Sequence, residues 1–207
     1  GRAMRVILSS NPYRDKGLRA ALEARRILER AGAETVLCLP FRPRKGDRLE
    51  LPRQLPMGEL EEELTRADLL VCFGGDGTIL HAARDATLHD VPVLGVNMGS
   101  VGFMAELEQK ELGRLGELMD EKYTVESRMM LDVSVVREGR VIYSNLALNE
   151  AVVTRGAVSR VIRLHIRTEQ GRLLDVTGDG VIVASLTGAT AYSLSAGGPV
   201  VEPTARN

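Results

Sequence analysis

Four short apolar runs without polar alternation constrain the fold of this chain more than any other feature of its sequence. They occupy residues 5–9, 35–39, 69–73 and 93–96. Strands of this kind are buried on both faces, as in a parallel sheet that is covered by helices. Helical segments are predicted between the runs, at residues 16–30, 59–66 and 78–87. The first half, residues 4–122, therefore predicts an α/β domain with a parallel sheet.

The second half, residues 123–207, has the pattern of antiparallel strands. Strands are predicted at residues 133–136, 141–144, 162–166, 173–176 and 181–184. Glu138-Gly139 between the first two strands indicates a hairpin turn, and the third alternates apolar with polar side chains, which is typical of a half-buried strand. We expect a mainly antiparallel, all-β second domain that is similar to a β-sandwich.

Composition excludes several classes of function. The formal net charge of −1 gives no electrostatic case for binding nucleic acid or an anionic membrane. Neither a transmembrane run nor a secretory signal is recognisable, so we expect a cytoplasmic protein. Cys38 and Cys72 lie within apolar runs and are expected to be buried thiols. The three histidines lack metal-ligand spacing, which predicts no zinc site.

The first candidate site is Gly74-Gly75-Asp76-Gly77-Thr78, which follows an apolar run and precedes a predicted helix. Ligands of open α/β sheets bind beyond the carboxyl ends of the strands. Three glycines let backbone N–H groups turn toward one anion, and the helix N-terminus, which Thr78 can cap, adds positive charge. Asp76 would repel a phosphate unless it contacts Mg²⁺ or accepts a proton as a general base. The segment predicts a phosphate site, with a tight turn capped by Asp76 as the alternative.

Two common nucleotide-binding motifs are absent from the sequence. No Gly-x-x-x-x-Gly-Lys-Ser/Thr run exists, which excludes a P-loop NTPase. Gly75-Asp76-Gly77 opens a Gly-x-Gly-x-x-Gly pattern, but Leu80 stands where its last glycine belongs, so the dinucleotide fingerprint is incomplete.

A second candidate is the pair Asn149-Glu150, which interrupts an apolar run. Burying these side chains is costly unless they have partners, and a ribose diol or an adenine edge could supply them. A surface turn is the alternative.

The third candidate is the segment 178–199, where a strand, a turn of small residues and a predicted short helix follow one another. Thr190, Tyr192, Ser193 and Ser195 offer hydroxyls to a ligand, and Tyr192 adds an aromatic face for stacking. A tightly packed junction between strand and helix is the alternative.

Together these segments resemble the NAD kinase family, over nearly the whole chain. Residues 74–78 match the glycine-aspartate motif of that family, and residues 97–103 resemble its Asn-x-Gly-x-x-Gly-Phe segment. Asn149-Glu150 matches its Asn-Glu/Asp pair. Residues 178–199 resemble its most specific stretch, Thr-Pro-Thr-Gly-Ser-Thr-Ala-Tyr-Ser followed by Gly-Gly-Pro. The expected fold is a Rossmann-like α/β domain followed by the β-sandwich-like domain.

The resemblance implies phosphoryl transfer from ATP, or from polyphosphate, to the 2′-hydroxyl of the adenosine ribose of NAD. Asp76 would be the catalytic base, and Mg²⁺ or another divalent metal would accompany the ATP phosphates, with Asp76 as a candidate contact. The implied phosphate-binding residues are Gly74, Gly75, Gly77 and Thr78. The implied NAD-binding residues are Asp76, Gly77, Phe103, Asn149, Glu150, Asp179, Thr190, Ala191, Tyr192 and Ser195. A homodimer or homotetramer is expected.

The sequence departs from the family pattern in three places. Leu186 stands where the family has proline, and Ala189 where it has serine. The family continues for several strands beyond the position of Asn207, so we expect the second domain to be incomplete in this sequence. Two alternatives stay open: a lipid or other small-molecule kinase that shares only the glycine-aspartate motif, and a nucleotide-binding chain with impaired catalysis.

Overall fold

The computed structural model describes residues 1–99, 102, 104–120, 123–148, 150–156, 161–171 and 173–184. The chain divides into two compact units after Val125. Within the described part, no helix is both long enough and apolar enough to cross a membrane.

The first unit is built on one parallel sheet of six strands. They are β1 (Arg5–Ser10), β2 (Glu34–Cys38), β3 (Met57–Gly58), β4 (Leu69–Gly74), β5 (Val93–Asn97) and β6 (Leu107–Glu108). Their order across the sheet is β3-β2-β1-β4-β5-β6, and every neighbouring pair is parallel, which confirms the predicted α/β class. This is the Rossmann order, in which the chain first moves outward from β1 and later returns to place β4 beside it. The sheet therefore reverses its strand order between β1 and β4.

Helices cover both faces of this sheet. They are α1 (Arg19–Arg30), α2 (Leu60–Leu64) and α3 (Asp76–Thr87), together with 3₁₀ segments at Lys16–Leu18 and Gln109–Asp120. Val6 and Leu8 of β1 pack with α1 and the second 3₁₀ segment, whereas Ile7 packs on the opposite face with α2 and α3. Because successive side chains of a strand point to opposite faces, a strand between two such layers is apolar throughout. This explains the unbroken apolar runs.

Boundary predictions hold within a few residues in this unit, with two differences. Helix α3 begins at Asp76, two residues before its predicted start, so the aspartate belongs to the helix. Strands β3 and β6 and the 3₁₀ segment Gln109–Asp120 were not predicted. The buried leucines of that segment, Leu112, Leu115 and Leu118, recur every three residues, which is the period of a 3₁₀ helix.

The second unit consists of antiparallel strand pairs, as predicted. Its strands are β7 (Leu131–Arg137), β8 (Arg140–Ala147), β9 (Glu150–Thr154), β10 (Ile162–Arg167), β11 (Leu173–Gly178) and β12 (Gly180–Ala184). In the described ranges β7 pairs with β8, β9 with β12, and β10 with β11. Glu138 and Gly139 both have positive φ, 51° and 76°, which gives the β7–β8 hairpin the type I′ turn that matches strand twist.

Candidate active site

A cavity of about 350 Å³ lies in the first unit, where β1 and β4 end. Its lining residues are Asn11, Arg14, Gly75, Asp76, Gly77, Thr78 and Gly102. Asn11 and Arg14 follow β1, and the residues from Gly75 to Thr78 follow β4. The cavity therefore occupies the place where the strand order reverses, which is the usual ligand site of open α/β sheets.

The glycine-rich turn starts α3 directly at the end of β4. A Cβ at Gly74 would lie 2.7 Å from Cβ of Thr78, so only glycine lets the helix begin this close to the strand. At Gly75 and Gly77 an added Cβ would meet nothing within 4 Å, and both residues line the cavity. Their backbone is consequently open to a ligand at a helix N-terminus, where free N–H groups and the helix dipole favour an anion.

Thr78 does not have the capping role that the sequence predicted. The residue in the capping position before α3 is Gly75, which makes no side-chain capping hydrogen bond. Thr78 is the third residue of α3, and its Oγ1 accepts a hydrogen bond from Nδ2 of Asn11 at 3.3 Å. It thus connects the segment after β1 to the start of α3, and it remains on the cavity wall.

Asp76 is half-buried and points its carboxylate at a neighbouring backbone segment. Its Oδ1 accepts a hydrogen bond from the N–H of Met104 at 3.2 Å. A Cβ at Gly102 would lie 2.3 Å from the same oxygen, so the carboxylate occupies the space that a side chain at position 102 would need. The alternative in which Asp76 caps its own helix is wrong, because Asp76 is the first helical residue. The carboxylate instead accepts the hydrogen bond from Met104 and lies against Gly102 at the cavity.

Asn11 and Arg14 belong to the cavity but were not found from the sequence. The backbone N–H of Asn11 donates to the carbonyl of Phe73 at 3.0 Å, and its Oδ1 accepts from the N–H of Tyr13 at 3.0 Å. Nη1 of Arg14 lies 2.4 Å from where a Cβ at Gly99 would be. The available signal was the same as at β4: polar residues directly after a buried strand.

The loop that carries Arg14 is fixed by a buried carboxylate. Asp15, which is 2% exposed, accepts hydrogen bonds from the N–H groups of Ala20 and Ala21 at 3.0 and 3.1 Å. The hydroxyl of Ser10 donates to the same carboxylate at 2.7 Å. Asp15 therefore satisfies N–H groups at the start of α1 and ties the end of β1 to that helix.

The remaining predicted ligand residues lie in the second unit or outside the described ranges. Glu150 is the first residue of β9 and half-buried, and its Oε2 is buried without a hydrogen-bond partner in the described part of the chain. Asp179, between β11 and β12, has an 81% exposed side chain, and its Oδ1 lies 3.6 Å from Nε of Arg155. The predicted site residues outside the described ranges are Phe103, Asn149, Thr190, Ala191, Tyr192 and Ser195.

No group of three or more His, Cys, Asp or Glu side chains in the described ranges is arranged to hold a metal ion. Asp76 is the one carboxylate among the residues that line the cavity. A divalent cation at this site would thus depend on phosphate oxygens of a ligand for most of its coordination, as Mg²⁺ in kinase sites usually does.

A Rossmann-ordered sheet with open glycine backbone and a carboxylate at its switch point is typical of α/β proteins that bind phosphate groups. Residues 10–123 match the family described as the ATP-NAD kinase N-terminal domain, and residues 148–207 match the ATP-NAD kinase C-terminal domain. The chain belongs to the NAD kinase family.

Individual relatives agree with this assignment. The NAD kinase of Acetivibrio thermocellus is 42% identical over 156 residues, which cover 72% of this chain and 54% of the relative. The NAD kinase of Ruminiclostridium cellulolyticum is 35% identical over 196 residues, which cover 94% of this chain and 66% of the relative. The chain thus spans between about half and two thirds of the length of these relatives.

Two solved structures share the fold. Yeast NADH kinase in complex with NADH gives a TM-score of 0.76 at 28% identity, covering 98% of this chain and 63% of that one. An NAD kinase from Archaeoglobus fulgidus in complex with ATP gives a TM-score of 0.64 at 26% identity, covering 98% of this chain and 69% of that one.

Proposed function

We propose that this protein transfers the terminal phosphate of ATP to the 2′-hydroxyl of the adenosine ribose of NAD, which yields NADP and ADP. The observation that carries the proposal is the position of Asp76, a carboxylate on a cavity wall where the open backbone of Gly75 and Gly77 flanks it. A phosphate site does not benefit from a nearby negative charge. A carboxylate has a use there if the site must also accept a proton from a hydroxyl nucleophile.

The chemistry assigned to the cavity is simple. Asp76 accepts the proton of the ribose hydroxyl while that oxygen forms its bond to the γ-phosphorus, and the bond from phosphorus to the bridging oxygen of ADP breaks. The open backbone at Gly75 and Gly77 holds phosphate oxygens at the start of α3. Such a reaction depends on positioning and electrostatics, since the protein forms no covalent bond to the phosphoryl group.

A divalent metal, Mg²⁺ by preference, is proposed to accompany the donor. The metal would neutralise charge on the phosphate oxygens when bound, and Asp76 is the side chain of the described cavity that could contact it. Gly74 and Thr78 are proposed to support the phosphate site from the end of β4 and the first turn of α3.

The acceptor is proposed to bind through residues that the family resemblance assigns. Glu150 suits a ribose or amino contact, because its buried Oε2 has no partner in the described part of the chain. The other proposed NAD-binding residues are Gly77, Phe103, Asn149, Asp179, Thr190, Ala191, Tyr192 and Ser195. We further propose a cytoplasmic homodimer or homotetramer; the reducing cytoplasm suits the two free, buried thiols.

The test is the formation of NADP from NAD, ATP and Mg²⁺ by this chain and by two variants. Asp76→Asn keeps the shape of the side chain but removes the base, so we expect kcat to fall by about 10²- to 10⁴-fold while NAD still binds. Asp85→Asn is the matched control, because it makes the same change on the same helix, outside the cavity lining.

Three outcomes would count against the proposal. Retained turnover in Asp76→Asn would refute the role of Asp76 as the base. Loss of NAD binding with residual turnover would assign Asp76 to substrate binding instead. Binding of ATP and NAD without any turnover in the unaltered chain would support a nucleotide-binding protein over an enzyme.

A further inference from the structure

We propose that Arg14 is a donor-binding residue, whose guanidinium holds a phosphate oxygen of ATP against the open glycine backbone of α3. This inference rests on the proposed kinase function and adds to it a residue outside the recognised motifs. Among the described residues that line the cavity, Arg14 is the one cationic side chain and Asp76 the one anionic side chain.

The first argument is charge. A triphosphate that enters the cavity meets the carboxylate of Asp76, and this repulsion must be offset for the donor to bind. The start of α3 contributes only about half a positive charge. A full positive charge on the wall that β1 provides would balance Asp76, and Arg14 supplies it there.

The second argument is availability. The side chain of Arg14 has no hydrogen bond or ion pair to any residue in the described ranges, whereas Arg5 and Arg66 are both paired with Glu63. A guanidinium beside a cavity that has no side-chain partner within the described ranges can offer its N–H donors to a ligand. Its planar fork matches the oxygens of a phosphate and can bind two of them at once.

The third argument is that the position of Arg14 is built into the fold. Its backbone N–H donates to the carbonyl of Asn11 at 3.1 Å, and the neighbouring Asp15 is buried and fully engaged with α1. The guanidinium passes so close to Gly99 that a Cβ there would overlap Nη1 at 2.4 Å. The glycine at position 99 therefore leaves the room that the arginine occupies beside the cavity.

The direct test measures ATP binding by calorimetry, with Mg²⁺ and without NAD, on the chain and its variants. Arg14→Ala should weaken ATP binding by about 10- to 100-fold, the usual range for a hydrogen bond to a charged group. Arg14→Lys keeps the charge and should recover part of this loss. Arg26→Ala is the control, since Arg26 is also an exposed arginine but lies in α1, outside the cavity lining.

Two further measurements complete the test: the KM values for ATP and for NAD, and the binding of inorganic triphosphate. In the NADP assay, Arg14→Ala should raise KM for ATP and leave KM for NAD within about twofold, because only the donor is contacted. Inorganic triphosphate should lose affinity for Arg14→Ala by the same factor as ATP, whereas a loss confined to ATP would place Arg14 near the base and overturn the phosphate assignment.

The outcomes separate this inference from the kinase proposal. If Arg14→Ala binds ATP as tightly as the unaltered chain, the inference is wrong, and NADP formation can still support the enzyme. If ATP binding depends on Arg14 but no NADP is formed, the donor site stands and the acceptor assignment fails. An unaltered chain that does not bind ATP would overturn the inference as well.

Discussion

A single methyl group at Gly95 tests how tightly α3 must sit on the sheet for the site to form. Gly95 lies in β5 beneath Ile79. Ile79 belongs to the first turn of α3, directly after Thr78. A Cβ at Gly95 would lie 2.8 Å from Cδ1 of Ile79 and 3.2 Å from both Cγ1 and Cγ2. Gly95→Ala therefore forces either the side chain or the helix to move.

The expected cost follows from what Ile79 can do. Ile79 is 3% exposed and packs in the core layer between the sheet and the helices α2 and α3. A β-branched side chain in a helix has essentially one χ1 rotamer, so rotation cannot clear both Cγ atoms. Overpacking of this kind costs about 1–3 kcal/mol, and for a unit of this size that corresponds to a fall in Tm of roughly 4–12 °C.

The assay is urea unfolding of the whole chain, monitored by a signal that reports on the unfolding of the first unit. Gly113→Ala is the matched control, because a Cβ at Gly113 would meet nothing within 4 Å. That control should be neutral or slightly stabilising, as expected when a flexible residue is replaced in open space. A lower urea midpoint for Gly95→Ala at unchanged m would place the effect in the folded state.

A double mutant decides whether the clash is the cause. Ile79→Ala alone should cost about 2–5 kcal/mol, since it empties a buried site. In Gly95→Ala/Ile79→Ala the new methyl fills part of that space, so the double mutant should be more stable than the sum of the two changes by at least about 1 kcal/mol. Simple additivity of the two costs would refute the reasoning.

Two further predictions concern the buried thiols of the core and the carboxylate of Glu63 in α2, which pairs with Arg5 and Arg66. Burial raises the pKa of the Cys38 and Cys72 thiols to about 12. Neither thiol should therefore react with a thiol reagent at pH 8 in the folded chain, and both should react in denaturant. Rapid labelling of the native protein would contradict this prediction. Hydrogen bonds from Arg66 and Arg5 lower the pKa of Glu63 below its ordinary 4.5. The ion pair of Glu63 therefore stabilises the fold fully above the pKa of Glu63 in the unfolded chain, and this contribution is lost as pH falls through its pKa in the folded chain. The urea midpoint of Glu63→Gln should consequently fall less than that of the unaltered chain between about pH 5 and pH 3. The same fall in both proteins would contradict the ion-pair role.

The parallel sheet was predictable because its strands are buried on both faces. Val6, Ile7 and Leu8 face alternate helical layers, and all three are fully buried. Such apolar runs are visible in the sequence and do not depend on the order of the strands in the sheet. The order itself was not predictable, because β1 pairs with β4 across 63 residues, from Val6 to Leu69, and no local signal specifies such a partner.

The same long-range pairing explains which site residues were missed. The glycine-rich turn was found because its residues are contiguous and follow one strand. Asn11 and Arg14 join it only once β1 is known to lie beside β4, where the carbonyl of Phe73 receives the N–H of Asn11. Half of a site at a topological switch point is therefore visible in one motif, and the other half must be sought at the end of the neighbouring strand.

The cluster of glycines at this site combines two different physical requirements. At Gly74, Gly95 and Gly102 an added Cβ would overlap protein atoms at less than 3 Å, so these positions set how closely α3, the sheet and the Asp76 carboxylate approach one another. At Gly75 and Gly77 the space is open, and glycine there leaves backbone accessible at the helix start. A sequence shows only that glycines cluster. The structure separates the glycines that close packing requires from Gly75 and Gly77, where the packing of the described residues would leave room for a side chain.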